Sequence, residues 1–276
     1  MPMPNQNIAE RVAAGDLSLF DMLPAELTAS DRAMLLALQA IVGGRHPSYC
    51  YLEIGSHRGG SIQPHLLDSR CAEIISIDPR PASQPDERGN RFHYQDNSTA
   101  RMIAELTALE PVQIAKVRTF DKTAAGVAET TSGIAANLIF VDGEHTDEAV
   151  KADYAAVLHM AAPGAVIVFH DAPIVYMGLA ECLRALHKAG RTLTAFPLPD
   201  TLFVVMLDDE DPLARPEFAR LRTEIGAAYL AGMTLNNGYR RFYRLQPLRL
   251  VRSMLGRLGF GRFLRRHQYG ADRLEP

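Results

Sequence analysis

A glycine-rich turn between a predicted strand and a predicted helix constrains the fold of this chain more than any other feature. The apolar run Tyr49–Ile54 predicts a buried strand, and the segment GSHRGGS follows it with glycines at Gly55, Gly59 and Gly60. Glycine at such a turn permits positive φ or a close approach of the backbone to a ligand. A helix beginning near Ser61 would direct its free N–H groups into the same space. The segment therefore predicts the first strand–turn–helix unit of a nucleotide-binding type of α/β fold.

Acidic residues near this turn are the next candidates for ligand contacts. Glu53 lies two residues before Gly55, and Asp78 closes a second apolar strand, 23 residues after Gly55. An acidic residue about 20 residues after the glycines commonly accepts hydrogen bonds from ribose hydroxyls. The alternative for Asp78 is a residue that ends a strand and starts a turn. The cofactor contacts that we predict in this part of the chain are Glu53, Gly55, Ser56, Gly59, Ser61 and Asp78.

Two segments compete for the third strand. Arg91–Gln95 alternates weakly, whereas Ala115–Phe120 is a clearer apolar run with a helix-like stretch after it. Because a βαβ connection usually needs about 10 to 12 residues or more, we predict that Ala115–Phe120 is the third strand. Asp121 then becomes the polar residue on the adenine side of a cofactor, and residues 80–111 become an insertion with a loop and one helix. Asp96 and Asn97 are the alternative ligand contacts.

Two further apolar runs predict neighbouring parallel strands that end in polar residues. The run NLIFV precedes DGEH, and the run AVIVF precedes HD. Both runs have the continuous apolar character of strands that are buried on two faces. Ligands of open α/β sheets bind outside the carboxyl ends of the strands, and several ionisable groups gathered at one edge are typical of a functional site. The six groups expected at this edge are Glu53, Asp78, Asp142, His145, His170 and Asp171.

These groups favour a divalent cation with a neighbouring general base. Asp142, Asp171 and His170 could supply oxygen and nitrogen ligands, and a bound cation lowers the pKa of a substrate hydroxyl. His145 lies three residues after Asp142, and an imidazole pKa near 6.5 suits a proton acceptor. Structural alternatives exist for each: His145 or Asp171 could cap the following helix, and His170 could be a buried, hydrogen-bonded core residue.

The series LEIGSHRGGS, IDP, IFVDGEHTDEAVKAD and PGAVIVFHD resembles class I S-adenosylmethionine (SAM)-dependent O-methyltransferases. Within that class it is most similar to the metal-dependent branch that methylates macrolide sugars and other sugars. The resemblance covers about Tyr49–Pro173. It implies an α/β fold with a Rossmann-like, doubly wound, mostly parallel sheet, with SAM as cofactor and Mg²⁺ as metal. It also implies that N-terminal helices cover the SAM site.

The resemblance implies roles for individual residues. By this likeness Asp142 and Asp171 bind the metal and His145 is the base. His170 departs from the pattern of this branch, whose members carry an acidic residue at that position. Asp147 also departs from it, since an aromatic residue is common there.

The resulting prediction is an O-methyltransferase that acts on a hydroxyl of a small molecule or glycan, with a sugar favoured. One alternative is a non-catalytic SAM- or nucleotide-binding partner of a biosynthetic complex, and the joint presence of Asp142 and His145 argues against it. The other is a nicotinamide-dependent oxidoreductase, which the glycine spacing disfavours because it does not follow G-x-G-x-x-G. The chain has no tryptophan, so stacking on a sugar would fall to Tyr94, Phe120 or Tyr176.

Composition predicts a cytoplasmic enzyme with three parts. With 276 residues, 47% of them hydrophobic, the chain can bury one sizeable core, and a net charge of −3 argues against a nucleic-acid surface. Three cysteines without paired metal spacing are typical of reduced thiols, and no signal peptide or membrane span is visible. We predict an N-terminal helical cap at 1–48, a SAM-binding domain at 49–235 and a basic tail at 236–276.

The end of the chain is strongly basic. The last 37 residues, from Arg240 to Pro276, contain ten arginines and two acidic residues. Apolar residues recur there at near-helical spacing, so the tail could bind an anionic membrane surface or an acidic partner. The other expectation is that the tail packs on its own domain or on a second subunit in a homo-oligomer.

Overall fold

The predicted parallel sheet is the centre of a computed structural model of the protein, which describes residues 7–207, 232–238, 240 and 254. Seven strands form this sheet: β1 (Tyr49–Ile54), β2 (Cys71–Ile77), β5 (Val117–Phe120), β6 (Ala136–Val141), β7 (Ala161–Phe169), β8 (Leu193–Pro197) and β9 (Phe203–Leu207). Their order is β5-β2-β1-β6-β7-β9-β8. The first five in this order run parallel, and β9 pairs antiparallel with both β7 and β8. The predicted fold class is thereby confirmed.

Helices cover both faces of the sheet. They are α1 (Ile8–Ala13), α2 (Ala29–Arg45), α3 (Gln63–Leu67), α4 (Thr99–Leu109), α5 (Ala124–Thr130), α6 (Asp147–Met160) and α7 (Tyr176–Lys188). One core packs α2 and α4 against residues such as Tyr51 and Phe140. The other packs α5, α6 and α7 against Leu52 and Ile139, which point to the opposite face. The central strands are therefore buried on both sides, which explains their continuous apolar sequence.

The third parallel strand, β5, lies within the predicted segment Ala115–Phe120. β5 pairs in parallel with β2, after a short 3-10 helix at Ile114–Lys116. The predicted insertion at 80–111 contains α4, which serves as the crossover helix. It also contains an antiparallel hairpin of β3 (Ser83–Pro85) and β4 (Arg91–His93), which the sequence analysis treated as a loop. The helix expected from Ser61 is the short α3, which begins at Gln63.

The strand register brings the predicted polar residues to one edge. Ile54 is paired with Ile77 and with Val141, and Val141 is paired with Phe169, so β1, β2, β6 and β7 end at the same level. The ladder continues one residue further, because the Asp142 N–H donates to the Ile54 carbonyl at 2.9 Å. The residues that follow these strands must therefore meet.

The N-terminal segment crosses over the glycine turn. The Gln63 side chain donates to the carbonyls of Phe20 and Leu23, at 3.1 and 2.9 Å, and accepts from the Leu23 N–H at 2.8 Å. A Cβ atom at Gly60 would lie 2.2 Å from the Pro24 carbonyl oxygen. Gly60 is thus required by the close approach of this segment, which continues into α2 through a Thr28–Asp31 capping box.

The apolar run at 201–207 predicts a strand, which is present as β9. The acidic segment 208–211 predicts a turn and the segment 215–230 predicts a helix. Both segments and nearly all of the basic tail lie outside the described residues. Within the described ranges, the structure contains no helix long and apolar enough to span a bilayer.

Candidate active site

A cavity of about 500 Å³ lies at the edge where β1, β2, β6 and β7 end. This volume is within the range typical of cofactor and ligand sites. The glycine turn and the polar ends of β6 and β7 form its floor. The N-terminal segment 24–28 and the hairpin region cover it, the latter with Gln84, Phe92 and Tyr94.

The glycine turn contributes backbone and small side chains to the cavity. Gly55 has φ +86°, and a Cβ atom there would lie 2.1 Å from the Asp142 carbonyl oxygen, so only glycine fits between β1 and β6. Gly55, Ser56 and Ser61 line the cavity as predicted. Gly59 does not line it; its φ of +79° shapes the turn, and its Cα faces Leu106.

Glu53 lies beneath the cavity and supports it. Its carboxylate accepts hydrogen bonds from the Tyr51 hydroxyl at 2.7 Å and from the Ser61 hydroxyl at 2.6 Å. Burial raises the pKa of Glu53 to about 8, against these two hydrogen bonds, which lower it. Glu53 therefore acts on the cavity through Ser61.

Asp78 lines the cavity and retains capacity for a ligand. One carboxylate oxygen accepts from the His57 N–H at 2.9 Å, and the other accepts from the Arg80 N–H at 2.7 Å. A carboxylate has about four acceptor positions, so further hydrogen bonds remain available to a ribose.

The structure does not bring Asp121 to the cavity. Its side chain is 59% exposed and accepts a hydrogen bond from the Thr99 hydroxyl. Of the two alternatives, Asn97 lines the cavity, and the Asp96 side chain is exposed. The adenine-side role of Asp121 stays a prediction without a contact in support of it.

Two histidines and two aspartates from the ends of β6 and β7 form a connected cluster. Asp142 Oδ1 lies 3.1 Å from His145 Nε2 and 2.8 Å from His170 Nδ1. The other ring nitrogen of His145, Nδ1, lies 2.9 Å from Asp171 Oδ2. His170 Nε2 lies 3.7 Å from Oδ2 of Asp31, the buried residue of the α2 capping box. The four predicted catalytic and metal-binding residues therefore meet, and the structure adds Asp31.

Opposite charges shift the pKa values in this cluster against the effect of burial. Burial favours neutral side chains, yet the facing imidazoles of His145 and His170 lower the pKa of Asp171. Burial disfavours a charged His145, but Asp171 and Asp142 raise its pKa to about 10. With these partners alone, His145 holds a proton at neutral pH.

The cluster fits a divalent cation. Among the described residues, Asp142, His145 and His170 form a group whose ligand atoms all lie within 4.8 Å of one another. His170 Nδ1 is buried and has no hydrogen bond within the described part of the chain, because it is not aligned with the nearby Asp142 oxygen. Buried polar atoms normally have a partner, so this nitrogen is a suitable metal ligand. Asp171, which was predicted as a ligand, instead contacts His145.

Several residues of the site were missed by sequence reasoning. Asp31 lies in the first turn of α2 and belongs to its capping box, and nothing in the sequence indicates its contact with His170. The hairpin loop carries a buried Asp86–Arg88 ion pair of 2.6 Å, and the Glu87 N–H donates to the His145 carbonyl at 2.8 Å. Among the three stacking candidates, Tyr94 lines the cavity.

Comparisons with known proteins agree with this geometry. Residues 52–172 match a protein family described as a methyltransferase domain. No curated protein sequence is significantly similar to the chain. Cofactor-bound Rv0187 from MTB is 15% identical, with a TM-score of 0.50 over 76% of this chain and 94% of that chain.

Two other solved structures are similar at lower scores. The O-methyltransferase TomG from Streptomyces achromogenes, in complex with SAM, is 14% identical, with a TM-score of 0.48 over 76% of this chain and 93% of that chain. An O-methyltransferase from Bacillus cereus, in complex with SAH, is 13% identical, with a TM-score of 0.46 over 75% of this chain and 93% of that chain. Structural likeness at such identities concerns the fold alone. By the family match, residues 52–172 are similar to the methyltransferase-domain family, which leaves the activity of this chain to be proposed.

Proposed function

We propose that this protein is a SAM-dependent O-methyltransferase that methylates a hydroxyl group of a small molecule or glycan, with a sugar favoured. The observation that carries the proposal is the convergence of three features on one cavity: the glycine turn, Asp78, and the cluster of Asp142, His145, His170 and Asp171. When bound, SAM supplies a methyl group on a positively charged sulfur, which an acceptor oxygen takes as the C–S bond breaks and the C–O bond forms.

The charge of the cavity suits this cofactor. Acidic side chains predominate among the described residues of its lining, and a negative cavity attracts the sulfonium and ammonium groups of SAM. Gly55, Ser56 and Ser61 offer close backbone and hydroxyl contacts, and Asp78 has acceptor positions for ribose hydroxyls. The five acidic residues of the lining are Glu26, Asp31, Asp78, Asp142 and Asp171, and they face the positive charges of Arg58 and of the histidines that they hold protonated.

His145 is the proposed proton acceptor for the substrate hydroxyl. Its Nδ1 lies 2.9 Å from Asp171, and a hydrogen bond donated there leaves Nε2 as the basic atom. Nε2 is 3.1 Å from Asp142 Oδ1 and lies at the cavity. His145 must be neutral to accept the proton. A group that binds Asp142 and weakens its interaction with Nε2 would lower the pKa of His145 and so favour the neutral form.

A divalent cation at Asp142 and His170 would meet that need. When bound, the cation lowers the pKa of a coordinated hydroxyl group. Asp142 would then share its carboxylate with the cation, and His145 would lose part of the negative charge that holds its proton.

The aromatic lining supports a sugar or polyol as acceptor. Phe92 and Tyr94 lie in the covering hairpin region and line the cavity, where an aromatic face can stack on an apolar sugar face. A sugar would also present neighbouring hydroxyls to the cation and to His145.

The test is a methyl-transfer assay with labelled SAM against a panel of glycosides and polyols. His145→Ala should lower kcat by about 10²- to 10⁴-fold, as expected for loss of a general base, with an unchanged Kd for SAM. His159→Ala, at the far end of α6, is the matched control and should keep full activity. Label transfer at equal rate in His145→Ala would refute the catalytic role of His145, whereas SAM binding by the wild type without transfer to any acceptor of the panel would favour a binding function.

A further inference from the structure

We infer that His170 ligates a transition-metal dication through Nδ1, together with Asp142, and that this residue makes the site select such a metal over Mg²⁺. The inference rests on the proposed function in that it concerns the same cavity. It is nevertheless a statement about metal binding, which can be measured without methyl transfer.

The donor spacing is that of two neighbouring metal ligands. Ligand atoms about 2.0–2.2 Å from a metal, at roughly right angles, are separated by about 3 Å. Asp142 Oδ1 and His170 Nδ1 are 2.8 Å apart. The two atoms are in ion-pair contact without a well-aligned hydrogen bond in the described part of the chain, so a cation held between them would satisfy both. Both residues line the cavity, so a bound cation would be accessible to an acceptor.

The second ring nitrogen of His170 faces a buried carboxylate. His170 Nε2 lies 3.7 Å from Asp31 Oδ2, within ion-pair range. Metal-binding histidines usually direct their other nitrogen to a carboxylate or carbonyl, which fixes the ring orientation. Asp31 is itself held rigidly, because it accepts hydrogen bonds from Thr28 N–H and the Thr28 and Thr201 hydroxyls at 3.2, 2.9 and 3.0 Å. Asp31 is therefore a positioning residue for His170.

The chemistry of the donors decides which metal class is favoured. Mg²⁺ prefers carboxylate, carbonyl and water oxygens, whereas imidazole suits Zn²⁺, Fe²⁺ and other transition metals. His145 Nε2 places a second imidazole nitrogen 3.1 Å from the shared Asp142 oxygen, which makes the surroundings still richer in nitrogen. Asp171, the remaining carboxylate, is 2.9 Å from His145 Nδ1 and is engaged there. The donor set thus differs from the oxygen-rich set implied by the family resemblance, and His170 is the residue responsible.

The discriminating experiment compares metal selectivity between variants. Most protein sites bind transition metals more tightly than Mg²⁺, so the informative quantity is the change in the Kd ratio rather than the ratio itself. Chelator-treated full-length protein is titrated by calorimetry with Mn²⁺, Co²⁺ and Mg²⁺. His170→Glu restores an oxygen donor and should shift the Co²⁺/Mg²⁺ preference toward Mg²⁺ by about tenfold or more.

A spectroscopic readout identifies the ligand directly. Pulsed electron paramagnetic resonance of bound Mn²⁺ should show ¹⁴N modulation from a coordinated imidazole in the wild type, with loss of the His170 contribution in His170→Glu. Asp31→Asn should weaken Mn²⁺ binding by about 10- to 100-fold. Thr123→Ala is the control, because it removes the cap hydroxyl of α5, which does not line the cavity, and it should bind Mn²⁺ like the wild type.

The outcomes separate this inference from the proposed function. A Kd ratio that is the same in His170→Glu and wild type, or ¹⁴N modulation that is unchanged between them, would overturn the role of His170 even in an active methyltransferase. Conversely, the predicted selectivity in a protein that transfers no methyl group would support the metal site while the proposed function fails.

Discussion

At the scale of single residues, the site depends on carboxylates that are buried for different reasons. Glu53 is buried beneath the cavity with the neutral hydroxyls of Tyr51 and Ser61 as its hydrogen-bond partners, and burial raises its pKa to about 8. Asp142 and Asp171 face two histidines, and the pKa of each is lowered despite burial. Neighbouring acids thus have opposite protonation preferences because their surroundings differ.

The raised pKa of Glu53 predicts a specific dependence of stability on pH. The folded protein retains the Glu53 proton up to a pKa of about 8, whereas the unfolded chain releases it near pH 4.5. The stabilising contribution of this proton is therefore complete below pH 4.5 and is lost as pH rises to 8, at up to about 1.4 kcal/mol per pH unit.

Glu53→Gln removes this dependence. The free energy of unfolding of Glu53→Gln, measured by urea denaturation relative to wild type, should increase progressively between pH 5 and pH 8. Glu73→Gln on the neighbouring strand β2, with a side chain 41% exposed, is the control for loss of a carboxyl group outside the cavity, and the pH dependence of Glu53→Gln is compared with it. A flat difference for Glu53→Gln would contradict the buried, protonated state.

At the scale of elements, the site is assembled where the ends of parallel strands meet other segments of the chain. The meeting of Asp142, His145, His170 and Asp171 was predictable, because the carboxyl ends of adjacent parallel strands share one edge. Asp121 follows β5, which is an edge strand of the sheet. It therefore lies away from the central strands whose ends form the cavity, and its side chain is exposed. Edge position within the sheet could not be inferred from spacing along the chain.

Contacts between segments that are far apart in the sequence could not be predicted either. Asp31 reaches His170 because the first turn of α2 lies beside the residue that follows β7. Asp147 pairs with Arg240 from the C-terminal segment. No local pattern in the sequence links these partners.

Gly60 allows the N-terminal segment to lie close to the glycine turn and to cover the cavity. A Cβ atom there would lie 2.2 Å from the Pro24 carbonyl oxygen, so Gly60→Ala must displace segment 24–28. The Kd for SAM, measured by calorimetry, should rise about tenfold or more, which corresponds to roughly 1.4 kcal/mol. Gly44→Ala, in α2 with open space around it, is the control and should leave the Kd unchanged. Unaltered SAM binding in Gly60→Ala would show that the segment does not form the cofactor site.

Arg240 joins the two loops that carry the cluster. Its guanidinium contacts Asp147 at 3.2 and 3.3 Å, donates to the Ile174 carbonyl, and lies 4.6 Å from the ring centre of Tyr176. Asp147 begins α6, and Ile174 lies between β7 and α7. The pair therefore connects the loop of Asp142 and His145 to the loop of His170 and Asp171.

Loss of one partner of this buried pair should be costly. Arg240→Met should reduce the free energy of unfolding by about 3 kcal/mol, because Asp147 would be left without its charge partner. The double variant Asp147→Asn with Arg240→Met should lose less than the sum of the single variants in urea denaturation. Strict additivity of the two losses would contradict a direct interaction.

At the scale of the whole molecule, charge is distributed very unevenly. The chain carries −3, and its last 37 residues carry ten arginines against two acidic residues, so the part before them carries −11. The tail could therefore contact the acidic remainder of its own chain, a second subunit or an anionic membrane. The expectation of a membrane or partner contact stays a prediction, since nearly all of the tail lies outside the described residues.

A charge-reducing variant of the full chain separates these expectations. Replacing Arg262, Arg265 and Arg266 with Gln should reduce sedimentation with anionic vesicles at low salt if the tail binds membranes, because each basic residue near the surface adds about 1 kcal/mol. If the tail instead joins subunits, vesicle binding should be absent in both proteins, and the variant should show a lower mass in light scattering.

The central claim is that this cavity binds SAM, and calorimetric titration of SAM into the purified protein tests it most directly. With and without a divalent cation, and with NAD as the control ligand, we predict micromolar binding of SAM and none of NAD. Absence of SAM binding under both conditions would contradict the account, whatever the metal selectivity of the cluster proves to be.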